Sequence, residues 1–291
     1  MEIQDVVKEI KQSFRQMMDG SVAQSMRDKG VDYHLNWGAT IPRLRQMADE
    51  LRMKLENQSA EIPADNTMAA ANSTLYTLHS KLYALSIALW KENVRECKIL
   101  ATMLMPPDEI LPEVVDIWME QTETLEVAEQ AAMNLYCRLP YAPQKAFQWI
   151  ASDKPLYQLC GFHVLSRLFM NGQEPNERGI NEFLDQALAA LQQQAAPAGT
   201  IAPTPAGTIA PTPAGTIAST PAGTIAPTPA GTIAPTPGVS TPGTSPGPSP
   251  STSLILAVRK AAMNSISHFA DLGLVYERLA DSALRNYTRG R

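Results

Sequence analysis

Apolar residues in this chain recur three and four positions apart, with almost no alternation of apolar and polar. Ile3, Val6, Val7, Ile10 and Phe14 share one face of a helix that runs to Met18 and ends at Asp19-Gly20. A short helix, Val22 to Arg27, follows before Gly30. Thr40-Ile41-Pro42 then places a capping hydroxyl and an early proline ahead of Leu44, Met47, Ala48 and Leu51, which predicts a helix to about Leu55. The polar, Ala-rich stretch from about Asn57 to Ser73 reads as a connection.

Beyond it the pattern becomes regular and predicts helices over about 74–91, 94–105, 108–120, 124–139, 142–151, 155–171, 177–194, 253–271 and 274–287. The separators are short, among them Pro106-Pro107, Pro140-Tyr141, Asn171-Gly172 and Asp271-Leu272-Gly273. Short helices joined by short turns are antiparallel neighbours. Each consecutive pair takes roughly 30 to 35 residues, the length of a HEAT-like unit. The expectation is therefore an all-α fold, a HEAT-like α-solenoid of antiparallel helix pairs, with a compact helical bundle as the alternative. No stretch reads convincingly as a strand.

Residues 195–253 are different material. AGTIAPTP begins at Ala198 and recurs at Ala206, Ala214, Ala222 and Ala230, with Ser219 in place of one proline, and no charged residue occurs between Asp185 and Arg259. Proline at this density removes ladder donors, and one isoleucine per unit buries too little to offset chain entropy. The tract is expected to be a disordered low-complexity insertion, because the apolar helix beginning at Leu254 resumes immediately after it. Residues 1–194 together with 254–291 are then one helical domain, and closing the longer loop costs only about 0.6 kcal/mol per doubling.

Composition narrows the chemistry. With 291 residues, 44% hydrophobic, the chain can bury a sizeable core. A net charge of −5 does not fit non-specific coating of nucleic acid, although local basic patches remain open. The first residues, charged and amphipathic, do not read as a secretory signal, and no apolar run reaches the roughly 18 residues of a membrane span. Cys97, Cys137 and Cys160 sit far apart in apolar helical sequence, which fits buried reduced thiols and a cytoplasmic protein better than disulfides. No metal-ligand spacing, nucleotide-binding loop or nucleophile elbow occurs, so neither a metal nor a nucleotide cofactor is expected. His163 and His268 lie in apolar helices and read as packing residues. Two charged features stand out. From Asp108 to Glu129 there are eight acids and no Lys or Arg, which reads as a solvated face whose first two acids suit a helix N-terminus. Arg43, Arg45, Arg52 and Lys54 cluster on one helix, and Arg259, Lys260 and the residues after them make the C-terminal end basic.

Several stretches together resemble the DNA alkylation repair family of HEAT-like proteins. Gly38-Ala39-Thr40-Ile41-Pro42-Arg43-Leu44-Arg45 is similar to that family's Gly-Val-x-x-Pro-x-Leu-Arg segment. Leu89-Trp90, Arg95-Glu96 and Leu100-Ala101 resemble its Leu-Trp followed by a Glu-Arg-rich helix, and Val258-Arg259-Lys260-Ala261-Ala262 its late Val-x-Lys-Ala helix start. The resemblance implies a concave basic groove that grips damaged duplex DNA, with an aromatic residue and a carboxylate on one helix facing the lesion. The carboxylate would stabilise the cationic sugar formed as the base departs, without any cofactor. On the matching helix Leu125 stands where the family's Trp is expected, and Glu129 where its Asp is expected. Leucine offers no ring face, and glutamate moves the charge by about one methylene, a displacement that matters for a catalytic group. On the late helix Asn264 and Ser267 replace the expected Trp and Arg.

Three readings result. The first is a DNA-binding member of this family with degenerate or absent base-excision activity, holding DNA through Arg43, Arg45, Arg259 and Lys260. The second is an active alkylpurine DNA glycosylase using Glu129, and the third a non-enzymatic protein-interaction scaffold. The partners implied are duplex DNA or protein, with no membrane.

Overall fold

The structure, a computed structural model, describes residues 2–28, 33–60, 68–193 and 250–289. Among them are twelve α-helices, one 3-10 turn and no strand: α1 (Ile3–Gln16), α2 (Gly20–Asp28), α3 (Ile41–Ala60), α4 (Met68–Lys91), α5 (Arg95–Leu104), α6 (Pro112–Glu120), α7 (Leu125–Asn134), the 3-10 turn (Tyr136–Arg138), α8 (Ala142–Ile150), α9 (Pro155–Met170), α10 (Glu177–Gln192), α11 (Pro250–Ala270) and α12 (Leu274–Arg289). The all-α expectation holds. Met1–Ala195 and Pro250–Arg291 belong to one compact unit.

Several boundaries move. Of the connection expected from Asn57 to Ser73, residues 57–60 and 68–73 are helical, since α3 continues to Ala60 and α4 begins at Met68, and residues 61–67 lie outside the described residues. Alanine and methionine favour helix strongly enough to outweigh the polar residues between them. α6 starts at Pro112 rather than near Asp108, so Asp108 and Glu109 lie before the helix and not in its first turn. Proline suits the first helical position because the amide it lacks has no partner there. The same preference starts α11 at Pro250, so residues 250–253 of the expected insertion are helical instead. The rest of that tract lies outside the described residues. The helix expected over 124–139 breaks at Leu135, where the chain tightens into the 3-10 turn.

Alternate helices pack in a row. α3 contacts α5, α5 contacts α7, α7 contacts α9 and α9 contacts α11. The intervening helices flank this row: α4 lies on α3 and α5, α8 on α9, α10 on α8 and α11, and α12 on α10 and α11, while α1 packs on α4. α5 buries nine of its ten residues and α9, which packs closely on α8, ten of its sixteen. Gly161 allows this closeness, because a Cβ there would lie 2.8 Å from both the Ala146 carbonyl oxygen and Ile150 Cγ2 on α8. Phe169, Phe183 and Phe269 join α9, α10 and α11 with ring centroids 5.1 to 5.5 Å apart, and Tyr276 of α12 meets Phe269 at 5.2 Å. Each such pair contributes about 0.5–1.5 kcal/mol beyond its buried area. α4 and α6 are tied by Trp90 and Trp118, stacked at 4.2 Å. No helix among the described residues is long and apolar enough to cross a membrane.

Candidate functional site

Two charged constellations lie on the α5–α7–α9 row, and they differ in what surrounds them. The first is buried. Arg95 opens α5, and its guanidinium meets Glu126 of α7 twice, Nε to Oε2 at 2.8 Å and Nη2 to Oε1 at 2.5 Å. Nη1 also donates to the Ala39 carbonyl at 2.7 Å and to Glu96 Oε1 at 3.2 Å. Glu96 Oε1 in turn accepts the backbone N–H groups of Trp37 and Ala39, and the Tyr33 hydroxyl donates to Glu126 Oε2 at 2.5 Å. Arg95 and Glu96 are 1% and 0% exposed. Burial raises the Glu126 carboxyl, but the Arg95 hydrogen bonds and charge, with the Tyr33 hydroxyl, reverse this and hold it below its ordinary value. For Arg95, burial works against the charge and Glu126 outweighs it. Burial, followed by the Glu126 charge, pushes the Tyr33 hydroxyl well up.

Shifted groups of this kind often mark a reactive centre. Here the adjoining cavity is only about 20 Å³, room for one water and no substrate. Three of these bonds hold residues 37–39, the Trp37 and Ala39 amides on Glu96 Oε1 and the Ala39 carbonyl on Arg95 Nη1, so the network acts as a clamp on the loop entering α3. Gly38 in that loop has φ +77°, and a Cβ on it would meet the Asp19 carbonyl oxygen at 2.1 Å. The loop is thus pinned from both sides.

The second constellation is open to solvent. On α7 the stripe left outside the core runs Glu126, Glu129, Met133 and then Cys137 beyond the helix end; on α9 it runs His163, Arg167, Met170. Glu129 Oε1 lies 3.7 Å from His163 Nε2, an ion pair whenever the imidazole is protonated. One turn further on, the Cys137 thiol faces Arg167 and Arg138, whose charges pull it down while burial, the larger effect, pushes it up. Arg138 also reaches the field of Arg52 on α3. Burial first, and the like charge of Arg138 in addition, hold the Arg52 guanidinium below its ordinary value against the attraction of Asp49. Arg52 also donates to the Met103 carbonyl at the end of α5. Arg52, Arg138 and Arg167 therefore mark one edge of the row, the edge where α5, α7 and α9 end. Arg138 and Arg167 form no ion pair among the described residues.

The residues expected from sequence to form the site are only partly brought together. Glu129 faces solvent on the row, whereas Leu125 beside it packs partly against the core. Lys260, Asn264 and Ser267 are exposed on one stripe of α11, and Arg259 is half-buried. Arg43 and Arg45 do not point the same way: two residues apart on a helix, they project about 160° from one another. Arg45 shares a flank with Arg52, while Arg43 lies on the flank of Lys54, which pairs with Glu9 of α1 at 3.2 Å. Helix α3 is four packing steps from α11, a contour of roughly 35 Å at typical interaxial spacing, so Arg45 and Lys260 do not converge on a single point. None of these four basic residues is ion-paired with Glu129 among the described residues.

Arg138 and Arg167 were not singled out by sequence reasoning, yet a signal exists. Arg138 is the one cation between Lys98 and Lys145, and Arg167 the one between Lys154 and Arg178. A lone cation held within apolar sequence has a place to be, and here both emerge on the same edge. His268, read as a packing residue, meets the Ser166 hydroxyl at 2.5 Å between α11 and α9. Compared with protein-family models, curated proteins and solved structures, the chain matches none.

Proposed function

We propose that the chain is a HEAT-like helical-repeat protein, related to the DNA alkylation repair proteins, that grips the phosphates of duplex DNA without excising bases. The row in which each alternate helix packs on the next supports the repeat reading, since stacked helix pairs bury their apolar faces in that order. The observation that carries the binding reading is the edge formed by Arg52, Arg138 and Arg167. Arg52 has a local role at the end of α5, but Arg138 and Arg167 face solvent without an acidic partner among the described residues. Like charges held together raise the energy of the free protein, and a phosphate relieves it with two or more charge-assisted hydrogen bonds.

Glu129 is ill-suited to stabilise an oxocarbenium ion, because the His163 imidazole stands 3.7 Å from its carboxylate and Leu125, one turn before it, supplies no ring face. Titration of a duplex at rising salt tests the binding. Affinity should fall with a log–log slope of about −0.9 for each phosphate neutralised, and Arg138→Ala or Arg167→Ala should flatten it by about one unit. Binding indifferent to salt would sink the proposal. Release of methylated base from alkylated DNA that vanishes in Glu129→Gln would overturn the non-excising part and favour the glycosylase.

A second reading, a protein-interaction scaffold, has one observation in its favour. α6 exposes Glu113, Asp116 and Glu120, with Ile117 51% exposed among them and Leu111 60% exposed just before. Salt-insensitive capture of a protein partner, without duplex binding, would select it.

A further inference from the structure

α4 carries Tyr76 and Tyr83 two turns apart on one face, with His79 and Ser80 between them. Glu109, in the turn before α6, closes the group: its Oε1 lies 3.5 Å from His79 Nδ1. These five residues line an open recess of about 200 Å³. Tyr76 is 72% exposed, a large ring face left in water, while Tyr83 is half-buried against the core.

Acids stand near the recess: Glu109 in its wall and, around Tyr141, Glu113 and Asp116, the latter paired with Lys145 at 2.5 Å. Tyr141 stands close by, its hydroxyl donating to the Ile110 carbonyl at 2.7 Å. Burial, then Asp116, Glu113 and Tyr83, push that hydroxyl up to about 12. Elsewhere the protein covers aromatic faces with its own cations: Arg15 over Trp37, Arg95 over Tyr33, Lys98 over Trp90 and Lys154 over Tyr157. Among the described residues no such cation lies over Tyr76 or Tyr83.

We propose that Tyr76, His79, Tyr83 and Glu109 form a binding site for a methylated ammonium group. Two ring faces and a carboxylate about one recess attract a cation whose charge is spread over methyl groups, because such a cation gives up little hydration on entering. A bare lysine ammonium holds its water more strongly and gains less. The volume is below the roughly 300 Å³ of sites for drug-sized molecules, so the recess takes a single headgroup and not a larger ligand. A methylated lysine side chain and a choline headgroup both present this chemistry.

The test is titration of the full chain with tetramethylammonium chloride, followed by the tyrosine ring resonances in NMR, with ammonium chloride at equal ionic strength as control. Saturation with a Kd on the order of 1–10 mM is expected for tetramethylammonium alone. Tyr76→Ala and Glu109→Gln, both at exposed positions, should each weaken binding about threefold or more. A trimethyllysine peptide and phosphocholine vesicles are then competed against tetramethylammonium, and the one that displaces it names the source. The proposal is overturned if ammonium produces the same shifts, if both variants bind like the parent, or if neither competitor displaces the probe.

Discussion

Replacing Arg95 by methionine should cost a large share of the stability of this domain. The side chain is 1% exposed and makes four hydrogen bonds, two to Glu126, one to Glu96 and one to the Ala39 carbonyl. Summed at about 1.5–3 kcal/mol for each bond to a charged group, the loss would come to about 6–12 kcal/mol, comparable to the whole stability of a domain. The sum overstates it, because forming the network first cost the desolvation of three charges. Methionine refunds part of the lost packing. What remains is the penalty of two carboxylates left facing each other around an unsatisfied carbonyl, with Glu96 wholly buried. One partner removed from a buried pair costs about 3–5 kcal/mol, and that is the expected change for Arg95→Met. Glu126→Gln is gentler, about 1–2 kcal/mol, since the amide still accepts from Arg95 and Glu96 still neutralises it. Urea unfolding followed by circular dichroism at 222 nm reads both, as a shift in midpoint with little change in slope. Amide exchange at Trp37 and Ala39 should quicken before the helices open. A loss below about 1 kcal/mol for Arg95→Met, with the slope unchanged, would refute the account of residues 37–39 as a clamped loop.

The same network predicts acid sensitivity. Because the folded-state Glu126 carboxyl is held below its ordinary value near 4.5, its contribution is complete above that pH and drains away as pH falls through the depressed value. Unfolding midpoints measured from pH 7 to 3 should therefore drop more steeply for the parent than for Glu126→Gln; parallel curves would count against it. Gly161→Ala should cost about 1–3 kcal/mol, because the new methyl meets α8 backbone at Ala146 O and Ile150 N, which cannot move aside as the Ile150 side chain can; thermal melts check this. Cys97 and Cys160 are 0% exposed, and burial chiefly pushes the Cys97 thiol up to about 12 and the Cys160 thiol higher. Only Cys137 should react with a thiol reagent in the folded state, and slowly, as mass spectrometry of tryptic peptides would show. Labelling of Cys160 without urea would mean that the centre of the row opens readily.

Much of the helical pattern could be read before any coordinates, and the exceptions share a cause. Helices α5, α8, α9 and α10 start within a residue of where punctuation placed them, because Pro155, the proline at position 143 and Asn176 act locally. The Asn57 to Ser73 stretch was misread because its polar residues carry no stripe, yet Ala and Met extend α3 and α4 from either side. The break at Leu135 has no proline or glycine to announce it. It follows from tertiary packing, with Tyr136 1% exposed against Trp149 at 5.1 Å. The site was less legible for the same reason. Glu129 and His163 are brought together by the contact of α7 with α9, which no spacing along the chain encodes. Arg95 and Glu96, which carry part of the family resemblance, also form a clamp, a role visible only once the loop they hold is in place.

The clamp and the arginine edge put charge to opposite uses on one row of helices. At Arg95 the guanidinium is surrounded by acceptors, so any outside anion would have to displace Glu126, Glu96 and a carbonyl together, which closes that site to ligands. At Arg138 and Arg167 no acid answers the charge among the described residues, and the cost of two neighbouring cations falls on the free protein. Cations in water repel weakly, by well under 1 kcal/mol beyond a Debye length, so the edge is tolerated without partners. The same weakness means that the proposed grip on phosphate would have to come from several contacts along the row rather than one. Duplex length then becomes the discriminating variable: a fragment too short to reach from Arg52 to Arg167 should lose binding abruptly, whereas binding to a single local site would persist.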